Sequence, residues 1–92
     1  MSEWTRARVL VSGKVQGVYF RANTREQARE RGVDGWVRNL RDGRVEAVFE
    51  GPADDVDAMV EWCHEDSPAA RVDDVEAEYD DPEGLGGFEI RR

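Results

Sequence analysis

Ninety-two residues, 39% hydrophobic and 37% charged, suit one domain over 1–92 with a modest core and no second domain. No apolar run reaches the length of a membrane span or a signal h-region, and one cysteine excludes an internal disulfide. A soluble, unprocessed, cytoplasmic chain is expected, and a net charge of −8 argues against nucleic acid as the main partner.

The charge is unevenly spread. Residues 1–44 carry +5 and residues 45–92 carry −13, and a single lysine stands against twelve arginines. An acidic, lysine-poor surface suggests a halophilic adaptation, because concentrated salt screens like-charge repulsion. The basic first half suits a small anionic substrate.

In chain order, Arg6–Ser12 alternates and reads as a strand with apolar residues on both faces, hence central. Trp4, just before it, reads as a packing lid. Gly13-Lys14-Val15-Gln16-Gly17-Val18-Tyr19-Phe20-Arg21 then leads into a helix over Ala22–Arg31, stopped by Gly32. Glycines let such a loop turn successive N–H groups inward as an anion nest, and the helix N-terminus adds unpaired donors. Arg21 contributes a planar fork matched to phosphate oxygens. On residue types alone, a phosphate cradle and a plain strand-to-helix turn remain equally open. The loop lacks the Gly-Lys-Ser/Thr closure of the nucleotide-binding pattern.

Helix one offers a thin apolar face of Ala22, Thr24 and Ala28, and Arg25 and Arg29 read as a solvated face. Strands are expected at Trp36–Leu40 and Arg44–Glu50, joined at Asp42-Gly43 by a two-residue type I′ turn. The pattern does not decide which face of the third strand meets the helices. After Gly51-Pro52, Val56, Met59, Val60 and Cys63 make the clearest helical stripe, which ends by Ser67-Pro68. Val72–Tyr79 gives a fourth strand, and Phe88 and Ile90 a short last one after a turn-rich loop. The order β-α-β-β-α-β plus a terminal strand predicts an α+β ferredoxin-like split β-α-β sandwich, an antiparallel sheet with two helices on one face. That fold by itself decides nothing about activity.

Gly13-x-Val15-Gln16-Gly17-Val18-x-Phe20-Arg21 resembles the first signature of the acylphosphatase family. Gly35-Trp36-Val37-Arg38-Asn39, followed by Gly43-x-Val45 and Gly51, resembles its second, and the element order extends the likeness over essentially the whole chain. The resemblance implies hydrolysis of acyl phosphates to carboxylate and inorganic phosphate, without cofactor or metal. It implies that Arg21 binds phosphate, that Asn39 orients the attacking water, and that the amides of Gln16, Gly17, Val18, Tyr19 and Phe20 hold the phosphoryl oxygens. Arg31 departs from the family, whose members often place an apolar residue there.

Cys63 and His64 read as structural and solvated respectively, and one cysteine beside one histidine assembles no zinc site. The competing classes are a non-catalytic anion-binding module and RNA binding through the open sheet. The second is disfavoured by Asp74, Glu76 and Glu78 and by the missing aromatic RNP pattern. High negative charge and short strands favour a monomer.

Overall fold

The computed structural model describes residues 3–17, 20–65 and 70–91. The elements are β1 (Trp4–Lys14), α1 (Phe20–Arg31), β2 (Asp34–Asn39), β3 (Val45–Pro52), α2 (Ala53–Cys63), β4 (Arg71–Asp80) and β5 (Phe88–Ile90). All seven expected elements are present, most of them a few residues longer than their sequence patterns. The Ser67-Pro68 stop lies outside the described residues; α2 ends earlier, at Cys63.

The strands form one sheet in the order β4-β1-β3-β2-β5, which puts β1 in the interior as its two apolar faces require. The pairs β1–β3, β1–β4 and β2–β3 are antiparallel, whereas β2–β5 is parallel. The sheet is therefore mixed, because β5 reaches the far edge by a crossing connection and not by a hairpin. As a result β1, β2 and β5 all run toward the same end of the sheet.

Register separates the two faces. Val11, Val45 and Asn39 share one cross-strand row, Val9, Ala47 and Val37 the next, and Ala7, Phe49 and Gly35 a third. These rows lie under the helices: Ala7, Val9, Val11, Val37, Val45, Ala47 and Phe49 are fully buried and join Val56, Met59 and Cys63 of α2. Each such Val or Phe contributes roughly 1.5–3 kcal/mol by leaving water. The thin face of α1 holds through Ala28, Phe20, and Thr24, whose hydroxyl donates to the Phe20 carbonyl at 2.7 Å. Arg31 reaches Asp55 of α2 at 3.9 Å, so the departure at this position makes a contact between the helices. Burial pushes the Cys63 thiol up to about 12, consistent with a packing role.

Three expectations are corrected. Trp4 lies inside β1 and is 54% exposed, so it covers nothing as a lid. The β2–β3 connection is a three-residue loop, Arg41–Gly43, closed by Gly43 N–H to Leu40 O and Leu40 N–H to Arg44 O. Gly43 at φ +94° takes the left-handed place that follows a type I turn, and Asp42 accepts the Arg44 N–H instead of entering a type I′ pair. Arg29 is not merely solvated: its guanidinium donates to the Phe88 carbonyl at 3.1 Å and ties α1 to β5.

The helix-free face is closed by charge. Glu46, 3% exposed, accepts from Arg8 Nε at 2.6 Å and from Arg38 Nε at 2.7 Å. Burial pushes its carboxyl up, but the bonds and charges of Arg38 and Arg8 outweigh this and hold it below the ordinary 4.5. A lowered folded value means stability that is present above the ordinary value and lost as pH falls through the lower one. With both guanidinia half-exposed, Glu46→Gln is expected to cost about 2 kcal/mol at pH 7. Thermal melts of the two proteins should differ by roughly 10 °C at pH 7 and draw together as pH falls from 4.5 through the lowered value; a gap that does not shrink in acid contradicts the assignment.

Candidate active site

The site end of the sheet is where the C-termini of β1, β2 and β5 meet the start of α1. Gly13 sits at φ +128° where the β1–β4 register shifts, and a Cβ there would run into the Arg71 carbonyl. Its bare Cα is thus required by close approach of β4. Gly17, at φ +72° with open space around its Cα, supplies the turn into the helix.

Gln16 connects the loop to the second signature. Its side-chain amide donates to the carbonyls of Leu40 at 2.7 Å and Arg44 at 2.9 Å. Strand β3 lies between β1 and β2, yet this one side chain brings the loop directly to the end of β2. Sequence reading assigned Gln16 only a backbone amide; the strap is a function it missed, because Leu40 and Arg44 advertise nothing but carbonyls.

Phe20 begins α1. Its ring is buried and packs on Trp62 at 5.5 Å between centroids, which fixes the first helical turn against α2. The first-turn N–H groups of α1 face no acidic residue within that turn, so its positive end is not neutralised there. Arg21 follows and lines a cavity of about 340 Å³ with Val15, Gly17, Phe20, Ala22 and Ile90. Among the described residues its guanidinium has no carboxylate partner, unlike Arg6, Arg8 and Arg38. Val18 and Tyr19 lie outside the described residues.

Asn39 ends β2 on the helix-side face, in the row of Val45 and Val11 and not on the exposed face. Its Oδ1 is buried and has no hydrogen-bond partner among the described residues. A buried carbonyl oxygen without a donor costs about 1–3 kcal/mol, so it marks a place where a donor is due. Asn39 is not part of the cavity wall at Arg21; the two share the end of the sheet at which β1, β2 and β5 finish. Ile90, also missed from sequence, lines that cavity because β5 pairs in parallel with β2, placing Ile90 beside Val37.

A split β-α-β sandwich with an arginine that no described carboxylate pairs, at a helix N-terminus, and a donor-seeking carboxamide at the same sheet end is a domain suited to handling a phosphoryl group. The acylphosphatase family model matches residues 7–90. The chain is 71% identical over its full length to the whole acylphosphatase of Natronomonas pharaonis, and 71% identical over 95% of its length to 96% of that of Haloarcula marismortui. The crystal structure of acylphosphatase from Bacillus subtilis superposes with a TM-score of 0.91 at 37% identity, covering 96% of this chain and 99% of that one. The chain belongs to the acylphosphatase family. It is a hydrolase of acyl phosphates.

Proposed function

We propose that Arg21 and the loop amides from Gln16 to Phe20 grip the phosphoryl group while Asn39 aims the attacking water. The observation that carries this is the buried Asn39 Oδ1, unpaired among the described residues, which needs a donor that a water molecule can supply. Water oxygen attacks phosphorus, the bond from phosphorus to the acyl oxygen breaks, and a carboxylate leaves. A carboxylate is a stable anion at neutral pH, so no strong general acid is required. Asn39 is too weak a base to remove the water proton, which passes to a phosphate oxygen. Arg21 and the converging N–H groups compensate charge on the transferring group, the main demand of phosphoryl transfer. The deciding assay is phosphate release from benzoyl phosphate with chelator present, lost in Arg21→Ala; full activity in that variant overturns the reading.

The same reading takes the chain as a single monomeric domain acting in the cytoplasm on small acyl phosphates, without cofactor or metal and with no nucleic acid partner. An acidic row on the open face of β4, formed by Asp74, Glu76 and Glu78 opposite Ser12, Leu10 and Arg8, supports the last point by repelling polyanions. Exposed acidic residues along β4 also support the halophilic reading, since screening relieves their repulsion. The unfolding midpoint should rise by about 10 °C or more between dilute buffer and molar potassium chloride; equal midpoints would remove that reading.

A further inference from the structure

The cavity at Arg21 has an apolar side that a phosphoryl group does not use. Four of its six described wall residues are Val15, Phe20, Ala22 and Ile90. Packing phosphoryl oxygens against hydrocarbon would leave them without donors, at a cost in free energy. Val15 and Phe20 are 1% and 5% exposed, so the core alone accounts for them. Ala22 and Ile90 are different: both are half-buried, sit on separate elements, and border open space.

Ile90 is also held firmly for a residue of a three-residue edge strand. The Arg91 N–H donates to the Val37 carbonyl at 2.8 Å, and Arg29 holds the Phe88 carbonyl from α1. The crossing connection before β5 is fastened as well: the N–H groups of Glu83, Gly84 and Leu85 donate to the fully buried Glu50 carboxylate at 2.6–3.1 Å. A side chain positioned from both ends presents a fixed surface to a ligand, which limits the ordering cost on binding.

We infer that Ala22 and Ile90 form the acyl subsite, with Ile90 the specificity-determining side chain, and that the substrate class is acyl phosphates with compact apolar acyl groups. This rests on Arg21 holding the phosphoryl group. With that group at the helix N-terminus, the acyl carbon lies toward the hydrocarbon wall, and the departing carboxylate leaves past it to solvent. A volume of about 340 Å³ is at the low end for ligand cavities. It accepts a phosphoryl group with an acyl part up to about the size of a benzoyl ring, and a long fatty acyl chain would project into water.

The test compares kcat/KM for benzoyl phosphate and acetyl phosphate, and the inhibition constant of inorganic phosphate, in wild type, Ile90→Ala and Ala22→Leu. Ile90→Ala removes apolar contact made only by the larger group, so the benzoyl-to-acetyl ratio should fall roughly tenfold. Ala22→Leu keeps a good helix former, and so the fold, while narrowing the same wall; it should lower that ratio too. Phosphate inhibition should stay within twofold in both. An unchanged ratio in both variants overturns the acyl subsite and leaves the Arg21 reading intact. Loss of phosphate inhibition in parallel with both substrates also overturns it. Retained phosphate inhibition in Arg21→Ala is the separate result that would defeat the reading beneath it.

Discussion

Arg21→Ala is expected to lower kcat/KM for benzoyl phosphate by about 10³-fold or more and to abolish inhibition by inorganic phosphate. In the proposed role the side chain supplies charge and paired donors to oxygens whose negative charge is spread in the transition state, and removing one preorganised donor from such a site typically costs about 10²–10³ in kcat. A guanidinium engages ground state and transition state alike, so affinity and turnover fall together. Arg21→Lys retains charge but not the fork, and should recover only part of the loss. Stability should not fall, because Arg21 makes no ion pair with the described residues. A variant that melts early would point to a structural role instead. The measurements are initial rates, a phosphate inhibition constant and a thermal melt on the same preparation.

Asn39→Ala is expected to separate turnover from binding. Removing the amide proposed to position water should lower kcat by about 10²-fold while the phosphate inhibition constant stays within a few-fold. Its effect on stability provides an independent check. A structural asparagine satisfies neighbouring groups, and its loss is costly; here Oδ1 is buried with no partner among the described residues, so truncation removes an unsatisfied acceptor. The Tm should hold within about 4 °C, the equivalent of less than about 1 kcal/mol. Equal, mild losses of kcat and phosphate affinity, or a large loss of stability, would contradict the water-orienting role. Asn39→Asp sharpens the contrast: a carboxylate beside a phosphoryl anion should damage binding as well.

The strands and helices were legible because their patterns are local. The Val56, Met59, Val60, Cys63 stripe is entirely buried as its spacing requires, and the Ala7, Val9, Val11 alternation lies in the core. Element ends were less legible. Trp4 and Lys14 extend β1 because β3 and β4 pair with it along its length, which no window on β1 reveals. The loop at Asp42-Gly43 carries strong type I′ residues, yet the Asn39–Val45 pairing is followed by a Leu40 N–H to Arg44 O bond, which leaves three residues between Leu40 and Arg44. The direction of β5 depends on where its connection crosses, and Glu50 fastens that crossing from the middle of another strand. At the proposed site, Arg21 and Asn39 stand out through the two signatures, whereas the placement of the Gln16 and Ile90 side chains depends on long-range contacts. Residue types gave no hint that a glutamine would bridge to carbonyls more than twenty residues away.

The most direct measurement is titration of the isotopically labelled protein with inorganic phosphate, followed through amide resonances. Binding at the proposed place predicts saturable one-to-one shifts at Gly17, Phe20, Arg21 and Ala22 together with the Asn39 side-chain amide, and little change at Arg25 and Arg29. Shifts confined to Arg25 and Arg29, or at the helix start with Asn39 silent, would contradict a phosphate site within reach of both arginine and carboxamide at this end of the sheet.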